Sequence, residues 1–146
     1  MRVYIPATID DLTSCTTGKW EPAMGFAVTE RLMEISSHED EEGMAEQARD
    51  AAAIESVVEL GAALRVVIVA DYSRADITAV PDAHPAAVAL TGRVPADAIA
   101  CAFVDEPAAL DDAREALAGG AEALERLEDH DLLWYDVSEL GQIPRP

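Results

Sequence analysis

The chain has 146 residues, half of them apolar, and 29 acidic against 10 basic residues give a formal net charge of -19, with Lys19 the one lysine. A single domain of this length buries roughly 70% of its unfolded surface without staples. So acidic a balance argues against phosphate-backbone binding, which depends on lysine and arginine displacing counterions.

Met1-Arg2-Val3-Tyr4-Ile5 enters a strand with no leader pattern, and no apolar run reaches the roughly 18 residues of a membrane helix, so a cytoplasmic chain is expected. Pro6 removes an amide donor and ends the first strand. Thr8 to Asp11 has the form of a helix start, with the helix closing before Gly18, and residues 18–25 read as a loop. Phe26-Ala27-Val28 adds extended structure, and Thr29 caps a segment from Glu30 to Ile35. The run from His38 to Glu42 lacks the spacing of a calcium loop and reads as the solvated start of the next helix.

From Glu41 to Leu64, Met44, Ala48, Ala51, Ile54, Val57, Val58 and Leu60 recur at helical spacing. Arg65 to Tyr72 follows, with Val66-Val67-Ile68-Val69-Ala70 as an unbroken apolar core. Such a strand is expected where both faces of a sheet are covered. Ala87 to Thr91 and Ile99 to Val104 are two further strands, separated by a turn at Val94 to Asp97. Leu110, Ala113, Leu117, Ala121, Leu124 and Leu127 stripe a helix from Glu106 to Glu128, with Gly119-Gly120 marking a kink or a break into two helices. Leu132-Leu133-Trp134-Tyr135 makes the last strand. Alternation there sends one aromatic residue to the core and the other to a second surface.

Pro6-Ala7-Thr8-Ile9-Asp10-Asp11 and Pro107-Ala108-Ala109-Leu110-Asp111-Asp112 resemble one another, and both sit at strand-to-helix junctions. Two strand-helix-strand units, Arg2 to Tyr72 and Ile99 to Asp136, predict a single α+β domain over 1–146. The expected form is ferredoxin-like or a related split βαβ sandwich, of four to five strands with helices packed on the sheet. The opening Met1 to Thr8, Phe26 to Thr29, Val67 to Asp71, Val94-Pro95 and the closing Glu128 to Tyr135 together resemble a family of small uncharacterised actinobacterial proteins. That resemblance spans almost the whole chain and implies a cytoplasmic protein. It carries over no activity, cofactor or catalytic residue.

Two clusters carry candidate chemistry. His130 stands between Asp129 and Asp131, and a histidine beside carboxylates can serve as a general base or as an oriented metal ligand. Consecutive side chains diverge, however, so the plainer reading is a solvated loop in which His130 complements a helix C-terminus. Asp71, Asp105 and Asp136 each follow an apolar strand, and in a parallel sheet such positions share an edge where carboxylates can hold Mg²⁺. In a ferredoxin-like sheet Asp105 lies apart from the other two, and Asp105 and Asp136 are fully explained as helix N-caps. Cys15 and Cys101 show no CxxC or CxxH spacing, and no Gly-x-Ser-x-Gly or phosphate loop is present, so no cofactor is expected.

The preferred reading is a non-enzymatic interaction module. Strands apolar on both faces need two covering layers, and a second copy of the chain would supply one as a homodimer. The alternative is a small metal-dependent or His/Asp-based hydrolase using His130 and the strand-end aspartates.

Overall fold

The computed structural model describes residues 1–146 as an α+β fold built on one seven-stranded sheet. Its strands are β1 (Arg2–Ala7), β2 (Met24–Phe26), β3 (Val66–Asp71), β4 (Ile77–Ala79), β5 (Ala87–Leu90), β6 (Ile99–Asp105) and β7 (Leu132–Asp136). Their order across the sheet is β4-β5-β2-β1-β3-β6-β7, and every neighbouring pair is antiparallel. The helices are α1 (Asp11–Ser14), α2 (Glu30–Ile35), α3 (Glu41–Val58), α4 (Leu110–Leu117) and α5 (Ala121–Glu128).

This corrects the ferredoxin-like expectation. A split βαβ unit leaves a gap between its two parallel strands for a third strand, whereas β1 and β3 are direct neighbours running in opposite directions, from Arg2 opposite Asp71 to Ala7 opposite Val66. The cause lies in the connection. Between β1 and β3 the chain makes the additional strand β2, and only then does α3 return it to the end of the sheet where β1 stopped.

β3 is buried along Val66 to Ala70, as its apolar run requires. Val66, Ile68 and Ala70 point into a core with Leu12, Ala113, Leu127, Leu140 and Ile143. Val67 and Val69 point the other way, against Leu32 of α2 and Met44, Ala48, Ala52 and Ala53 of α3. Both covering layers therefore come from this one chain, and the open face invoked for a homodimer is closed by its own helices. The alanines let α3 lie near the strands, and the close packing extends to β2. A Cβ on Gly25 would sit 2.5 Å from Val3 Cγ1 and 3.2 Å from the Tyr4 carbonyl oxygen.

Local signals act as the residue types suggest. Thr29 Oγ1 accepts from the Leu32 amide at 3.0 Å, and Asp40 Oδ1 accepts from the Gly43 amide at 2.7 Å to start α3. α3 stops at Val58, short of the expected Leu64, because the Gly61 and Ala62 amides turn back to the Val57 and Ser56 carbonyls. The stripe from Leu110 to Leu127 breaks at Gly119, whose φ of 96° is open to glycine but strained for other residues. α4 and α5 thus form a helical hairpin, tied by Arg126 to Asp112 at 2.9 Å and to Glu115 at 2.6 Å. No helix is long and apolar enough to cross a membrane.

Candidate functional site

Where β6 ends and α4 begins, two ion-paired groups stack against one another. The deeper is Arg65 with Asp105. Arg65 is the residue before β3 and Asp105 the last of β6, and their side chains are 3% and 0% exposed. Asp105 Oδ1 accepts from Arg65 Nη2 at 2.7 Å and from Nε at 3.0 Å, while Oδ2 accepts from the Arg65 backbone amide at 2.8 Å. A carboxylate so enclosed is tolerable because both of its oxygens accept from Arg65, whose charge balances its own. Asp105 is thus no N-cap, since the turn that follows makes no side-chain cap bond.

The outer group is centred on His130, just after α5. Arg65 Nη2 donates to the His130 carbonyl at 2.9 Å, fixing its backbone. The ring then lies between two carboxylates, with Nδ1 2.7 Å from Glu106 Oε1 and Nε2 2.8 Å from Asp112 Oδ2. Ionised carboxylates only accept, so a ring facing one on each nitrogen must carry both protons. Hydrogen bonding to Glu106, and next to Asp112, accordingly raises the His130 pKa, and His130 first and Arg126 second lower that of Asp112. Asp129 and Asp131, the neighbours expected to work with His130, make no bond to its ring. Its partners come from the start of α4 and the turn before it.

A doubly donating imidazolium has no lone pair for a base or a metal ligand until it loses a proton. Its evident work is mechanical, joining β6, α4 and the entry to β7. Because the folded-state pKa is raised, this contribution is complete below the unfolded histidine value of about 6.5 and is lost as pH rises through the folded value. The Asp112 contribution has the opposite sense. It is present above an unfolded aspartate value near 3.9 and disappears as pH falls through the lowered one. The melting temperature is therefore expected to decline above about pH 6.5, and His130→Gln should flatten that decline. An NMR titration of the His130 Cε1 proton checks the premise, and an ordinary histidine midpoint would contradict it.

The strand-end aspartates do not meet. β6 runs against both β3 and β7, placing Asp105 at one end of the sheet and Asp71 and Asp136 at the other. Asp71 pairs with Arg2 on the surface. Asp136 is the expected N-cap, accepting from the Ser138 amide at 3.0 Å, while Glu139 Oε1 accepts from the Asp136 amide at 3.0 Å. No group of three or more His, Cys, Asp or Glu side chains is arranged to hold a metal ion. Burial pushes the Cys15 thiol up to about 11 and raises Cys101 as well, so neither is a ready thiolate.

The remaining candidate surface is the sheet edge at β7. Tyr135 packs on the core, whereas Trp134 is 57% exposed, the outcome that alternation requires. Trp134 lies opposite Phe103, over whose ring the Arg49 guanidinium sits at 5.3 Å. Leu133, on the opposite face, is 38% exposed. Strand polarity follows from two bonds at the end of β6. The Asp105 amide donates to Arg65 and the Glu106 amide to Asp131, so Asp131, Leu133 and Tyr135 turn their backbone groups toward β6. Leu132, Trp134 and Asp136 turn theirs outward, where the Asp136 amide is already taken by Glu139.

No curated protein and no solved structure matches the chain. A family model described as a family of unknown function, DUF6912, matches residues 1–143, and the chain belongs to that family.

Proposed function

We propose that the chain is a cytoplasmic, non-enzymatic interaction module whose working surface is the free edge of β7. The observation that carries this reading is Trp134, exposed on a strand that has no neighbour on its outer side. Edge strands usually carry lysine, proline, a bulge or a covering loop to prevent pairing. β7 has none of these within Leu132 to Tyr135 and presents apolar side chains on both faces. A large exposed aromatic residue beside unpaired backbone groups suits docking of an added strand. The central strand β3 is covered on both faces by the chain's own helices, and β7 is one of two free edges, β4 being the other, through which a homodimer could extend the sheet.

Hydrolase chemistry at His130 finds less support. Glu106 and Asp112 occupy both ring nitrogens, and no hydroxyl or thiol bonds to the ring. The strand-end aspartates likewise do not converge.

The edge can be tested by light scattering together with hydrogen exchange at Leu132 and Trp134. A monomer in which both amides exchange quickly is the expected result. Protection of both in a monomer would mean the chain covers its own edge, and the reading would fail. Protection that appears with dimerisation would identify a second copy as the occupant.

A further inference from the structure

Resting on that reading of β7, we propose that its partner is a cationic extended segment of another protein, a short β-prone strand with lysine or arginine at both ends, added antiparallel to Leu132–Asp136. The argument is charge complementarity along an edge of fixed length. β7 is bracketed by acids, with exposed Asp129 and Asp131 before it, Asp136 as its last residue and exposed Glu139 after it. The arginines around it are engaged, Arg65 with Asp105, Arg126 with Asp112 and Glu115, and Arg49 with Asp50. An incoming strand would form its main-chain bonds at Leu132 and Trp134, and its flanking residues would lie against the carboxylates.

The same geometry disfavours a second copy. A two-fold antiparallel pairing of β7 with itself sets the start of each strand beside the end of the other, bringing Asp129 and Asp131 of one against Asp136 and Glu139 of its mate at both ends. Like charges directly across a strand pair are destabilising, and opposite charges stabilise it by a similar amount. Each copy also carries a net charge of -19. A partner with cationic ends turns these repulsions into attractions while leaving its middle free to pack on Trp134 and Leu133.

The test is an NMR titration of the full chain with capped peptides of alternating valine and threonine, carrying two lysines, two threonines or two glutamates at each end. The lysine peptide should shift Leu132 to Asp136 and bind about tenfold or more tightly than the glutamate peptide, with an affinity that falls as salt is raised. Trp134→Pro removes an outward amide, at a position where an edge strand tolerates proline, and should abolish binding. Should that variant not fold, the exposed pair Asp129→Lys with Asp131→Lys should erase or reverse the preference. Equal binding of all three peptides at β7 would overturn the cationic partner and leave the edge reading intact. A dimer with protected Leu132 and Trp134 amides would do the same. No peptide binding to a monomer at millimolar concentration would overturn both.

Discussion

Replacing Asp105 with alanine is expected to destabilise the fold by about 3–5 kcal/mol, because it strands the guanidinium of Arg65 in a site that water does not reach. Arg65 is 3% exposed. Its Nε and Nη2 both donate to Asp105, and only the bond from Nη2 to the His130 carbonyl would survive the substitution. The cost belongs to breaking the pair rather than to the pair's net worth. Arg65→Met combined with Asp105→Leu should therefore be less destabilising than the sum of the single changes. It should still fall short of the parent, since the Arg65 amide and the His130 carbonyl would each lack a partner. Urea denaturation of the four proteins closes the cycle, and simple additivity would show that the two charges are not coupled. The loss should also reach the surface. Without Asp105 the guanidinium that holds the His130 carbonyl loses its own anchor, and the histidine pKa should drop toward its ordinary value in Asp105→Ala.

That coupling is what the amino-acid sequence could not display. His130 was visible as a histidine among acids, but its actual partners are 24 and 18 residues distant. Asp129 and Asp131 are its neighbours in sequence, and adjacency is what prevents their side chains from converging on the ring. Arg65 was readable only as charge at the edge of an apolar run. Its position against an aspartate that closes another apolar run was the one available sign of a buried pair, and it becomes meaningful only once β3 and β6 are known to be neighbours.

The fold divides along similar lines. β3 and α3 were legible because they bury residues over several periods, and the caps at Thr29 and Asp136 because they are local chemistry. β2 and β4 have three residues each, too few to establish an alternation, and the chain from Gly18 to Gly25 looked like a loop for that reason. Phe26-Ala27-Val28 shows as extended structure, but nothing in so short a run reveals a strand paired with β1. Without it, β1, α3 and β3 read as strand, helix, strand, and the natural conclusion is a parallel unit. The repeated Pro-Ala motif does mark two strand-to-helix junctions, but capping chemistry recurs wherever a helix follows a strand and says nothing about strand direction.

Ser56 gives the second large effect, and it bears on how that antiparallel connection is held. The residue is fully buried near the end of α3, and its hydroxyl bridges the neighbouring strands β1 and β3. It donates to the Ala7 carbonyl at 2.6 Å and accepts from the Val66 amide at 3.0 Å, while the Ser56 carbonyl takes the Ala62 amide that turns the chain out of the helix. One oxygen thus fixes where β1 stops, where β3 starts and how the helix reaches both. Alanine has almost the same volume, so Ser56→Ala leaves no cavity but strands one donor and one acceptor. Each unpaired buried group costs roughly 1–3 kcal/mol, and a total on the order of 3 kcal/mol is expected. Threonine keeps the hydroxyl and adds a methyl group where the side chain is fully enclosed, so Ser56→Thr tests overpacking against lost bonding. Thermal melts of both variants, with hydrogen exchange at Val66, separate the two causes. A Val66 amide that stays as protected in Ser56→Ala as in the parent would show that the bridge is not what joins α3 to the sheet.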